Sequence, residues 1–173
     1  GMPSAFSDSE GTLTLLLNLT PPPANDLFAN SIPIPGIHYP LTDGTFVGAS
    51  REAGEPTHGT PHGQTLWWNW TAPTNLNVCA VPVRLTADAV SFPPVFGLYT
   101  GSSVGALTPV ALTQLTNGMT TTTTFSATPG TTYRIILAGS QNDTSTVLPL
   151  TGNFRFRFNT RALAVSVLNV TNT

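Results

Sequence analysis

Any chemistry this chain performs must come from a short list of side chains. Asn25, Asp26, Glu52 and Glu55 are oxygen donors in two short motifs, and they include three of the chain's eight acids. A calcium ion takes about six to eight oxygens from carboxylates, amides and backbone carbonyls, which makes this group the candidate metal site. Without a metal, Asn25 or Asp26 would cap a short helical turn or close an Asx turn. Glu52 and Glu55 would then lie in a solvated loop or pair with Arg51. His58 and His62 have the spacing of a helical metal pair, but Gly59-Thr60-Pro61 between them cannot be helical. That leaves a loop carrying two polar histidines.

Signatures of covalent catalysis are weak. There is no Cys–His context and no phosphate-cradling GxxxxGK(S/T) loop. Gly101-Ser102-Ser103-Val104-Gly105 has the GxSxG spacing of a nucleophile loop, but it follows the strand ending in Tyr99-Thr100 and reads as a turn. Glu52 and Glu55 form a carboxylate pair, but from one short loop they cannot flank a cleft as acid and base. No catalytic residue is assigned.

All three tryptophans fall within Trp67-Trp68-Asn69-Trp70. In a strand alternate side chains share a face, so Trp68 and Trp70 point one way and Trp67 the other. Exposed and coplanar, such rings would stack on sugars, with Tyr39 or Tyr99 extending the platform. Buried, each fills about 150–250 Å² of core. The pair Trp68 and Trp70 is expected in the core, and Trp67 is the ring expected to meet a ligand. Cys79 is the only cysteine and so forms no intrachain disulfide; Val78, Ala80 and Val81 around it make it a buried thiol.

The elements that must position these residues follow from composition. Charged residues are 8% of the 173, against about 25% in an ordinary domain. There is no lysine and the net charge is −2, which gives nucleic acid or an anionic membrane nothing to hold. With 40% hydrophobic residues the chain is not disordered. No stretch reaches the roughly 20 apolar residues of a membrane span, and Leu13 to Leu19 is too short and polar for a signal peptide. Threonine, a β-former, is about one residue in six. Sixteen prolines and 15 glycines leave little room for long helices. A surface of Thr, Asn, Ser and Gly in place of Lys and Glu is common in secreted β-proteins.

Strands are expected over Thr12–Leu19 and near 45–49, 65–71, 77–86, 94–100, 108–113, 121–126, 131–138, 150–158 and 163–171. Asn153-Phe154-Arg155-Phe156-Arg157-Phe158 is the clearest, with three Phe facing a core and two Arg facing water. Many short strands with frequent turns predict an all-β fold, a jelly-roll-like sandwich of two antiparallel sheets with eight to ten strands. Leu17-Asn18-Leu19-Thr20 returns as Leu168-Asn169-Val170-Thr171, either as the junction of tandem copies or by coincidence in a Leu/Thr/Asn-rich chain.

Several of these words, in order, resemble the bacterial pre-peptidase C-terminal-like β-sandwich domains. Pro22-Pro23-Ala24-Asn25-Asp26-Leu27-Phe28-Ala29 is similar to the family's "PxNDxFA" opening. The resemblance continues through Gly48 to His58, Leu66 to Pro73, Gly97 to Leu107 and Ala127 to Ile135, covering about residues 21–158. It divides the chain into an N-terminal extension, 1–20, a sandwich domain, 21–160, and a C-terminal strand or linker, 161–173. It implies a non-catalytic binding or spacer module of a secreted or cell-surface protein, with calcium in some members at positions matching Asn25, Asp26, Glu52 and Glu55. Its partners would be extracellular protein, polysaccharide or other domains of the parent chain. The family's acid-rich stretch before "YTG" is absent, since Ala87 to Tyr99 holds only Asp88. So is the "NDD" cluster after Leu107. The alternatives are a carbohydrate-binding module using Trp67 and, from a different class, a hydrolase.

Overall fold

The computed structural model describes residues 20–58, 62–74, 81–89, 94–114, 120–140 and 153–160. The strands expected at 12–19 and 163–171, the repeated word they carry, and Cys79 lie outside the described residues.

Two sheets account for nearly all the regular structure. The larger contains β1 (Ile32–Pro33), β3 (His62–Thr71), β5 (Pro94–Thr100), β6 (Thr108–Gln114) and β8 (Thr132–Ser140), in the order β1-β3-β8-β5-β6. The smaller contains β2 (His38–Thr45), β4 (Val81–Ala89), β7 (Thr120–Ala127) and β9 (Asn153–Thr160), in the order β2-β9-β4-β7. Every pairing is antiparallel except β1 with β3. The fold is therefore the expected all-β sandwich, with nine strands among the described residues. Among the described residues no helix is long and apolar enough to cross a membrane.

The chain changes sheet at every connection but β5–β6. One crossover, from β7 to β8, is pinned by the Tyr133 hydroxyl, which accepts the Thr128 amide at 2.8 Å. This is the kind of bond a tyrosine corner makes to backbone a few residues upstream. Across the sandwich, the hydroxyls of Thr113 on β6 and Thr123 on β7 share a 2.9 Å hydrogen bond.

Alternation fills the space between the sheets. β9 is strictly buried at every second residue, with Phe154, Phe156 and Phe158 inside. They meet the inner face of β3, where Trp68 stacks on Phe156 at 4.6 Å and Trp70 leans on Phe158 at 4.8 Å. Phe96, Leu98, Phe125, Tyr133 and Ile135 belong to the same cluster.

One strand lies earlier in the chain than predicted. The expected strand at 45–49 is a turn in which the Ala49 amide donates to the Phe46 carbonyl at 2.9 Å, and the strand is His38–Thr45. Pro40 and Gly44 argue against a strand when read alone, but β2 is a sheet edge, where both are tolerated. Gly44 is required there, because a Cβ would collide with the Phe154 ring opposite it.

Trp70 is fully buried and donates its indole N–H to the Gly36 carbonyl at 2.6 Å. Trp70→Ala is expected to cost about 3–5 kcal/mol in urea unfolding. An unchanged midpoint and slope would show that this ring does not hold the sheets together.

Candidate functional site

The outer face of β3 presents Thr65, Trp67 and Asn69, opposite Leu66, Trp68 and Trp70. A bare sheet would leave these three in solvent. Two segments cover them: residues 23–31, which include a 3-10 turn at Phe28–Asn30, and the loop 50–58. Trp67 is 0% exposed. It forms a second, smaller core with Phe28, Tyr99 and Ile136, to which Val104 and Leu107 add. Phe28 meets the Trp67 ring edge-on at 5.3 Å, and the Arg134 guanidinium sits 4.8 Å above the Phe28 ring.

Hydrogen bonds from the strand fasten this roof. Asn25 brackets the Trp67 backbone: its carbonyl accepts the Trp67 amide at 2.9 Å and its Nδ2 donates to the Trp67 carbonyl at 3.0 Å. Asn69 Nδ2 donates to the Ser31 carbonyl at 3.0 Å. Glu55 Oε1 accepts from Thr65 Oγ1 at 2.8 Å, from Trp67 Nε1 at 3.3 Å and from the Glu52 amide at 3.1 Å.

The other acids fasten the roof segments to each other. Both Asp26 oxygens accept from Ser50, its amide at 2.5 Å and its hydroxyl at 2.8 Å. Glu52 Oε2 accepts the Phe28 amide at 2.9 Å. The 3-10 turn is therefore capped by a residue 24 positions later in the chain. The expected cap from Asn25 or Asp26 is not what the turn uses, since its preceding residue, Leu27, makes no side-chain cap. Arg51 donates to the Glu55 carbonyl at 3.2 Å.

His58 closes the loop. Its φ of 47° is in the left-handed region and its side chain is only 2% exposed, so the expected polar loop histidine is in fact a roof residue. His58 Nδ1 is hydrogen-bonded to the Tyr99 hydroxyl. Burial, and secondarily the charge on Glu55, push the Tyr99 phenol from 10.0 up to about 12. The phenol therefore keeps its proton over the ordinary pH range. Tyr99 fits under the roof because Gly97, two residues earlier on the same face, has no side chain: a Cβ would collide with Ile136 and the Tyr99 ring. His62 begins β3.

The structure thus gathers Asn25, Asp26, Glu52, Glu55 and Trp67 in one place but gives them other work than expected. Trp67 is a correction: it is no exposed platform, because its face of β3 is roofed and its N–H is used by Glu55. The four oxygen donors do not fit a calcium ion as arranged. Both Asp26 oxygens, Glu52 Oε2 and Glu55 Oε1 accept from N–H and O–H donors, and no group of three His, Cys, Asp or Glu side chains among the described residues is placed to hold a metal. Ser50, Thr65 and Gly97 were not singled out by sequence, while His58 was read as a polar loop residue and Tyr99 as an extension of a sugar platform. The signal was the same alternation that separates Trp67 from Trp68, carried one step further to Thr65 and from Gly97 to Tyr99.

No family model matches the chain, and no curated protein matches it. Among solved structures, the carbohydrate-binding module CBM36 in complex with calcium and xylotriose is similar at a TM-score of 0.36 and 11% identity, over 69% of this chain and 99% of that one. That similarity is too distant to bear on ligand or mechanism.

Two measurements test the roof. The phenol's raised pKa favours the folded state fully below pH 10, and that contribution is lost as pH rises through about 12. Melting of the wild type is therefore expected to fall between pH 10 and 12, by the equivalent of about 2–3 kcal/mol, and the fall should shrink in Tyr99→Phe. Equal slopes for the two proteins would refute the buried phenol. Separately, Asp26→Ala is expected to lower the melting temperature equally with chelator and with millimolar Ca²⁺. Stabilisation of the wild type by Ca²⁺ that disappears in Asp26→Ala would instead restore the metal site.

Proposed function

We propose that this chain is a non-catalytic binding and spacer module of a secreted or cell-surface bacterial protein, of the pre-peptidase C-terminal-like type. One observation carries the reading: the carboxylates of Asp26, Glu52 and Glu55 hold one segment of the fold onto another. Groups engaged in this way maintain a shape. A general acid or base must instead exchange protons with a substrate it can reach.

Support for the family comes from where its words sit. The Asn25-Asp26 word, the Glu52–Glu55 loop and the tryptophan word are joined by direct hydrogen bonds, as expected if they are parts of one inherited device. The nearly uncharged, threonine-rich composition suits an extracellular setting, with protein, polysaccharide or neighbouring domains of the parent chain as partners. The carbohydrate-module alternative loses the ring that motivated it, since Trp67 is interior. Calcium at Asn25, Asp26, Glu52 and Glu55 is an alternative use of the same loop, in which the ion would have to take oxygens now held by Ser50 and Phe28.

Co-sedimentation with insoluble protein fibres and polysaccharides, run beside peptide and glycan hydrolysis assays, tests the reading. Retention on a matrix without release of soluble product is expected. Turnover that disappears in Glu55→Gln would sink the proposal and make the chain a hydrolase.

A further inference from the structure

The two sheets differ in what lies on their outer faces. The larger sheet is roofed over Trp67. On the smaller sheet the outward residues of β9, the strand between β2 and β4, are exposed, among them Arg155, Arg157 and Asn159.

Charge is divided between these faces. Asp26, Glu52 and Glu55 hold the roof. Three of the six arginines, Arg84, Arg155 and Arg157, lie on β4 and β9 with only Asp43 and Asp88 as acids on the same sheet, three cations against two anions. Packed sheets are about 10 Å apart, and the roof lies beyond the larger one. The Debye length is also about 10 Å in 0.1 M salt, so the roof's carboxylates repel an anion at the smaller sheet only weakly. The net charge of −2 does not describe this face.

Register sorts its arginines. Arg155 stands opposite Asp43 on β2 and Asp88 on β4, so acids balance its row. The next rows hold no acid. Arg157 stands opposite Thr86, and Arg84 opposite Asn159, whose neighbour on β2 is His38. Arg84 is thereby placed on the outer face, diagonal to Arg157 at about 7–8 Å. On the β2 side Arg157 meets a bulge. The pairing slips between Tyr39 and Thr42, so Pro40 and Leu41 together oppose it. Both are exposed, Leu41 by 37%.

These features select a guest. A guanidinium forms two parallel hydrogen bonds with a planar carboxylate. Pro40 and Leu41 suit the C–H face of a sugar ring, which a simple anion lacks. Nucleic acid binding draws on more phosphate contacts than two unbalanced arginines supply.

We infer that the outer face of the smaller sheet binds an acidic polysaccharide, with uronate carboxylates held at Arg157 and Arg84 and a sugar ring seated on Leu41. This rests on the reading of the chain as a binding module and names its partner.

Affinity electrophoresis of the full chain tests the site, with polygalacturonate or its methyl ester cast into native gels. Polygalacturonate is expected to slow the wild type. The methyl ester, which keeps the sugar and removes the charge, should leave mobility unchanged. Arg157→Gln and Arg84→Gln should each weaken the apparent affinity about tenfold. Arg155→Gln makes the same change of charge in the acid-flanked row and should weaken it less than about twofold. Leu41→Ser should weaken it about threefold. If a variant does not fold, the other substitutions and the two polymers still decide. No slowing by polygalacturonate, equal slowing by its ester, equal losses from Arg155→Gln and Arg157→Gln, or no loss from Leu41→Ser would overturn the site. Retention on insoluble protein fibres would then still uphold the module, whereas shortening of the polygalacturonate by the protein would remove both readings.

Discussion

A strand cannot place neighbouring side chains on the same side, and the rest of this molecule follows from that constraint at Trp67-Trp68-Asn69-Trp70. Trp68 and Trp70 go inward and meet the three phenylalanines of β9. Trp67 is thereby sent outward, through a sheet face that would otherwise meet water. An exposed indole is a large apolar surface, and the fold responds by covering it. Residues 23–31 and 50–58 are irregular in backbone because they are shaped to roof one ring. The sandwich thus has two cores: one between its sheets, the other on its back.

Roofing with loops creates a polar problem, because irregular backbone leaves amides and carbonyls without ladder partners. Here acids solve it. Glu52 caps the Phe28 amide, Asp26 takes two donors from Ser50, and Glu55 takes three donors under the roof. An isolated buried carboxylate would cost several kcal/mol. Bonds to a charged acceptor are roughly twice as strong as neutral ones, and several together offset that cost. In a chain with so few charges, three acids gathered in one place therefore mark the point where backbone satisfaction is hardest. Gathered acids suggest a metal when read as a list of ligands; the directions of their donors give the structural role instead.

Legibility from sequence divided along the same line. The inter-sheet core was readable because period-two patterning is local: Phe154, Phe156 and Phe158 declare their face within six residues. The four oxygen donors of the candidate site were also readable as a group, with Trp67 a separate candidate. Their roles were not, since each depends on a partner far along the chain, as Glu52 does on Phe28 and His58 on Tyr99. β2 was misplaced because Pro40 and Gly44 disfavour strands in general, and only its edge position, with the Phe154 ring against Gly44, makes them acceptable. Such facts belong to the packed state, which no local window contains.

The three indole N–H groups show how far register alone can separate identical residues. Trp70 satisfies its donor with the Gly36 carbonyl. Trp67, one face away, has a carboxylate brought to it. Trp68 shares the inner face with Trp70 but lies nearer the sandwich edge, where β1 is only two residues long and the sheets part. Its ring stacks on Phe156 and meets Phe154 edge-on, and its donor has no partner among the described residues. The composition of the tryptophan word pointed to a binding surface, and its most prominent outward ring is instead a structural pillar.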